Sequence, residues 1–234
     1  MSLSAILTEA YNFFRNHIVQ LAMLTVPLLL LQVGIQMWLG AELLNADPEN
    51  PQFGTPHMLA VIALMVIFSV LIAALTLFME LRTEGMQPST GQVLKSSLAF
   101  VPGLMLAGVF SGMAIAAPTM ILAAIGPIWI LGMGISLYLF ARLAFVNFMV
   151  VVERMSPLQA IKASFEFSSG LTGTTILVLL SYFPLLLIGS VLSQLGQAGG
   201  MPLQLVVDTF VAFIGLFVNV ALFRLYRVAR KGRA

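Results

Sequence analysis

The chain contains no cysteine, only two histidines and two tryptophans, and few charges of either sign. Without cysteine there can be no disulfide, no thiolate metal site and no cysteine nucleophile. Lys and Arg number 11 and Asp and Glu 9, so the formal net charge over 234 residues is only +2. A surplus that small gives nucleic acid no electrostatic footprint, and nucleic acid is not an expected partner. No H-E-x-x-H, no G-x-S-x-G and no phosphate-binding glycine loop occurs, and His17 and His57 fall at opposite ends of the predicted spans. The sequence therefore predicts no enzyme, no metal site and no cofactor.

What the chain has in abundance is apolar surface. Hydrophobic residues make up 60% of it, more than a water-soluble domain of this length can cover with polar groups, so lipid is the expected solvent. Runs long enough to cross a bilayer, roughly 20 residues each, occupy Ile18 to Gly40, His57 to Met79, Phe100 to Ala123, Pro127 to Val152, Thr174 to Leu195 and Leu203 to Phe223. Backbone amides in hydrocarbon must be satisfied within each run, and the alternation of a barrel strand is missing, so the runs must be helices. The predicted fold is an all-α membrane protein with six transmembrane helices in three hairpins, a single polytopic domain over 1–234. The first sixteen residues lack the basic start and small-residue cleavage site of a signal peptide, so no cleavage is expected.

Basic residues set the orientation. With the N-terminus in the cytoplasm, Arg15, Arg82, Lys95, Arg142, Arg154, Lys162, Arg224, Arg227, Arg230, Lys231 and Arg233 all fall on the cytoplasmic side. The first outer loop, Ala41 to Pro56, carries Glu42, Asp47 and Glu49 with Pro48, Pro51 and Pro56, and reads as an irregular acidic loop. Trp38 and Trp129 lie at outer helix ends, where an indole buries its ring and keeps its N–H near water.

A pattern recurs ahead of the hairpins. Ser89, Gln92, Lys95, Ser97 and Phe100 align without gaps on Ser156, Gln159, Lys162, Ser164 and Phe167, and Ser2, Leu7 and Phe13 match more weakly. Ser-x-x-Gln is the spacing of a helix capping box, and Pro157 suits a first helical turn. Leu158, Ile161 and Phe165 form an apolar stripe opposite Lys162 and Glu166; Leu3, Ile6, Leu7, Ala10 and Phe14 do so in the first segment. Each hairpin is thus expected to follow an amphipathic interfacial helix, in repeats 1–86, 87–155 and 156–234. Similar exits, Leu77-Phe78, Leu139-Phe140 and Leu222-Phe223, each have an arginine close behind.

Ionisable groups inside spans are costly and are functional candidates by default. Asp208, inside the outer end of the sixth helix, is either a structural acid near the positive end of the helix dipole or a proton or cation site. Arg142 can snorkel to the interface, or pair with Glu80 or Glu153. Asn147, Asn219, Gln20, Gln32 and Gln36 are expected to hydrogen-bond between helices. The binding candidates are Asp208, Arg142 and Asn219, with no catalytic residue. Pro27, Pro118 and Pro184 predict kinks in the outgoing helices. Gly108, Gly112 and Ala116 form a small face that permits close helix approach, within the bundle or between copies. The basic tail from Arg224 to Arg233 suits anionic headgroups.

The entrance Tyr11-Asn-Phe13-Phe14-Arg15-Asn16, the turn Val152-Glu153-Arg154-Met155 and the ending Leu222-Phe223-Arg224-Leu225-Tyr226 resemble the YciC-like family of uncharacterised bacterial inner-membrane proteins. The resemblance implies a multi-pass protein of the bacterial inner membrane and supplies no catalytic residue. Two functions are carried forward. One is a structural, interaction or lipid-organising role in the cell envelope, with membrane lipids, a membrane-protein partner or a second copy as partners. The other is transport of a small solute or lipid.

Overall fold

The computed structural model describes residues 2–45 and 54–232. Asp47, Pro48, Glu49 and Pro51 of the acidic loop, and Arg233, lie outside the described residues. Among the described residues there are eleven α-helices and no strand: α1 (Leu3–Asn16), α2 (Ile18–Asn45), α3 (Thr55–Thr83), α4 (Thr90–Ser97), α5 (Val101–Ile125), α6 (Trp129–Leu143), α7 (Val146–Val152), α8 (Pro157–Phe167), α9 (Thr172–Leu180), α10 (Tyr182–Ala198) and α11 (Met201–Lys231). Six stretches are long and apolar enough to cross a membrane: Ile18–Asn45, Thr55–Thr83, Thr90–Ile125, Trp129–Val152, Thr172–Ala198 and Met201–Lys231. They coincide with the six predicted runs; five extend beyond them, because the helices continue past the apolar segments into the polar ends, while the fourth starts two residues later than predicted, at Trp129. The hairpins are α2/α3, α5/α6–α7 and α9–α10/α11, preceded by α1, α4 and α8.

The three short helices begin in the same way because each carries a serine at its N-cap. Ser2 Oγ accepts from the N–H of Ala5 at 3.3 Å. Ser89 and Gln92 close both arms of the capping box, at 3.3 and 3.2 Å. Ser156 donates its N–H to Gln159 Oε1 at 3.2 Å. Counting from the cap, the fourth and eighth residues are buried in every copy: Ile6 and Ala10, Val93 and Ser97, Ala160 and Ser164. Ala10, Ser97 and Ser164 are each 0% exposed, so a small side chain at that position brings each helix close to the bundle.

That seam relates to the predicted apolar stripe differently in the first and third copies. In α1 the predicted stripe is largely the buried face, since Ile6, Ala10 and Phe14 lie inside. In α8 it is not: Leu158 and Phe165 are 65% and 38% exposed, and the helix docks through Ala160, Ser164 and Phe167. The spacing of apolar residues along a helix shows which way its apolar side faces but cannot decide whether lipid or protein covers it.

The bundle is organised around α11. Tyr226, Phe223, Val220 and Ala221 are 0–1% exposed. Tyr226 and Phe223 join Phe145, Phe148 and Phe167 in a ring cluster with centroid separations from 5.2 to 6.4 Å. On another side of α11, Phe213 and Phe217 hold Phe14 of α1, at 5.3 and 6.2 Å. By contrast α5 buries only Leu104 and Ala107, and α10 only Gly189 and Gly196, so these helices form the rim.

Two of the spans are interrupted. The third outgoing helix breaks at Ser181, between α9 and α10. Pro184, three residues on, has no N–H to return to the Leu180 carbonyl, and the Ser181 hydroxyl adds a bond to the Val178 carbonyl at 2.6 Å. At Pro27 and Pro118 the helices α2 and α5 run on without interruption. The second return helix breaks between α6 and α7, a feature no proline announces. There the hydroxyls of Ser164 and Ser168 donate to the Arg142 carbonyl at 2.9 and 3.0 Å, competing with the helix's own N–H for that acceptor.

Candidate functional site

Several charged side chains gather at one end of the bundle, from α3, α11 and the turn after α7, and are paired there. Arg227 donates to Glu80 at 2.5 Å, with side chains 17% and 14% exposed. The Tyr226 hydroxyl donates to Glu153, which also faces Arg230 at 3.9 Å. Arg82 donates to Gln20 at 2.7 Å, and Arg224 lies over the Phe13 ring at 4.7 Å. These contacts make this end a polar clamp that joins α1, α3 and the turn after α7 to α11.

Arg142 belongs to the same end but not to the carboxylates expected for it. Glu80 and Glu153 are occupied by α11, and Arg142 instead donates to the Phe165 carbonyl at 2.5 Å while its guanidinium covers the Phe165 ring at 4.2 Å. Its role is to fasten α8 to α6 by a charge-assisted hydrogen bond and a cation–π contact.

Two clefts open among the described residues of the bundle. The first, about 400 Å³, lies between α3, α5, α6, α7 and α11, with Ser69, Ser111, Asn147 and Asn219 among mostly apolar walls. The second, about 410 Å³, lies between α2, α3, α6, α9, α10 and α11 and includes Gln32, Tyr182 and Asn219. Phe68, Ile72, Phe140, Asn219 and Leu222 line both, so they share a wall. Both helix interruptions open onto them, through Ala144 and Val146 in the first and Leu180 and Tyr182 in the second. Gln32 Oε1 and Ser111 Oγ are buried without a hydrogen-bond partner.

Asn219 is thus placed centrally, as its candidacy required, but as a cleft-lining group and not as interhelical glue. Among the described residues the side chains of Asn147, Asn219, Gln32 and Gln36 make no hydrogen bond, and of the five amides considered only Gln20 has a polar side-chain partner. The small face makes no close helix contact within the bundle. A Cβ added at Gly108 or Gly112 meets nothing within 4 Å, and Ala116 is exposed. The close approach in this hairpin comes instead at Gly132, where a Cβ would stand 2.7 Å from the Pro118 carbonyl oxygen.

Asp208 lies apart from both clefts. It lines a groove of about 480 Å³ with Gln36, Tyr182, Ser190 and Ser193, toward the end of the bundle opposite the clamp. It is partly exposed and has no hydrogen-bond or ion-pair partner among the described residues. Tyr182 lines this groove as well as the second cleft. At the same end Trp38 stacks on His57 at 5.7 Å, His57 faces Glu42 at 3.9 Å, and Trp129 opens α6, 44% exposed. Among the described residues no group of three or more His, Asp or Glu side chains is arranged to hold a metal.

What these walls can do chemically follows from their composition. A cleft of several hundred Å³, apolar with a few amides and hydroxyls, suits hydrocarbon carrying a small polar group, and offers little to a strongly hydrated ion. Missing from the sequence reading were the two clefts, since a cavity depends on how helices are rotated against one another. Comparison with known proteins found no matching family model, no matching curated protein and no matching solved structure.

Proposed function

We propose that the protein is a non-enzymatic, lipid-organising component of the bacterial inner membrane, with α1 and the end of α11 on the cytoplasmic side. The observation that carries the reading is the pair of adjoining clefts, whose walls are mainly apolar and whose buried Gln32 Oε1 and Ser111 Oγ lack partners. An acyl chain satisfies such walls, and a glycerol ester group or water satisfies the orphaned polar atoms. The orientation is supported by the gathering of Arg82, Arg142, Arg224 and Arg227 at one end. The resemblance to YciC-like proteins supports the inner membrane.

Native mass spectrometry of protein released gently from its own membrane tests this. Phospholipid is expected to remain at a defined stoichiometry. Gly112 lines the first cleft and has open space beyond it, so Gly112→Leu is expected to fill part of the cleft and reduce the retained lipid without lowering the melting temperature. Bare wild-type protein, or lipid retention indifferent to Gly112→Leu, would sink the reading.

A second reading, lipid or solute transport, is favoured by the interrupted helices that meet the clefts and by unpartnered Asp208 in the adjoining groove. It predicts that Asp208→Asn abolishes any proton-coupled flux in reconstituted vesicles. Flux unchanged by this substitution removes Asp208 from the mechanism.

A further inference from the structure

At the clamp end, outside the two clefts, a third cavity of about 870 Å³ opens between α3, α4, α5 and the turn joining α7 to α8. Leu77, Leu81, Phe100 and Val150 give it apolar walls. Gln92, Ser96 and Ser156 supply polar side chains, and Arg154 the single charge on its lining. No acid lines it, and Arg154 has no hydrogen bond, ion pair or ring contact among the described residues. Arg82, Arg142, Arg224 and Arg227 at the same end are each matched to an amide, a carbonyl, a ring or a carboxylate.

The backbone at Arg154 makes its position more specific. Its φ is +54°, the one positive value at a non-glycine residue among the described residues. Glu153 and Met155 both return their N–H groups to the Met149 carbonyl, at 3.2 and 3.3 Å, which turns the chain at Arg154. The comparable turn after α3 uses Gly85, at φ +81°, closed by the Met86 N–H on the Leu81 carbonyl. Glycine adopts this conformation at no steric cost, whereas an L side chain does not. An arginine at such a turn is accounted for when the guanidinium itself is needed there.

We infer that this cavity binds the phosphate headgroup of an anionic phospholipid through Arg154, with an acyl chain lying along Leu77, Phe100 and Val150. Charge decides the class: a lone unpaired guanidinium over apolar walls suits a phosphate that is covalently joined to hydrocarbon. Ser96, Ser156 and the amide of Gln92 are hydrogen-bond donors for the remaining phosphate and glycerol oxygens. The inference deepens the lipid-organising reading and rests on it, adding a headgroup preference at a separate site.

The test uses the full chain in nanodiscs of equal parts phosphatidylglycerol and phosphatidylcholine, with the lipid retained on release read by native mass spectrometry. Wild type is expected to retain phosphatidylglycerol preferentially. Arg154→Gly, which suits the turn, is expected to lose that preference roughly tenfold, the scale of one charged hydrogen bond, with a melting temperature no lower than wild type. Arg154→Lys, which keeps the charge, is expected to retain most of it. If Arg154→Gly keeps the preference, or if excess inorganic phosphate displaces the lipid, the headgroup assignment is overturned. If wild type holds no lipid at all, the broader reading fails with it; lipid held without headgroup preference overturns this inference alone.

Discussion

Tyr226→Ala is expected to destabilise the protein by about 3 kcal/mol, the low end of the range for removing a buried aromatic ring. Tyr226 is fully buried, packs against Phe145, Phe148, Phe167 and Phe223, and donates to Glu153. Truncation removes a ring from the junction of α7, α8 and α11 and leaves Glu153 with Arg230 alone at 3.9 Å. Tyr226→Phe separates the two contributions. It keeps the ring and deletes the hydroxyl, at a cost of about 1.5 kcal/mol for a hydrogen bond to a charged group. Equilibrium unfolding in mixed micelles measures both. Equal losses for the two variants would place the whole contribution in the hydroxyl and contradict the role given to the ring cluster.

Gly132→Ala is expected to cost about 3 kcal/mol, at the upper part of the usual range for overpacking. Its Cβ would stand 2.7 Å from the Pro118 carbonyl oxygen and 2.8 Å from Thr119 Cα, and both obstacles are backbone. No rotamer change relieves the clash, so α5 and α6 must separate. Separation also breaks the 2.8 Å hydrogen bond between Thr119 and Ser136 that crosses this pair. Gly134→Ala is the matched control, since a Cβ there meets nothing within 4 Å. The pair of variants is compared by thermal unfolding; similar melting temperatures would show that the hairpin yields at Gly132 without penalty.

The spans and helix starts were legible because they depend on local rules. Apolar length identifies a membrane helix wherever it occurs, and Ser89 with Gln92 can close a capping box whatever packs outside it. Partner choice was not legible. Arg142 has carboxylates near in sequence pattern, yet α11 presents Arg227 to Glu80 and Tyr226 to Glu153 and leaves Arg142 to Phe165. Which pairing forms depends on the rotation of α11, and no local rule fixes that rotation. The small face was legible as a face, but what packs on it was not. Gly108 and Gly112 satisfy the spacing for close packing, but that side of α5 looks onto a cleft, while single Gly132 makes the contact. Asp208 stands out in the sequence as an acid inside a span, and its lack of a partner is visible only in the assembled bundle.

The position of α11 has a consequence for how the protein is made. It leaves the ribosome after the other spans, and it supplies the partners of the first helix: Phe213 and Phe217 for Phe14, and Arg224 for Phe13. It also supplies Arg227 to Glu80 in the first hairpin. Nascent chains emerge at roughly 5–20 residues per second, so the first hairpin waits on the order of ten seconds with its seam open to lipid or to insertion factors. Glu80 spends that interval without its cation. Closure of α1 and the first hairpin therefore comes late, and a chain that stops before α11 leaves Phe14 and Glu80 without the partners that α11 supplies.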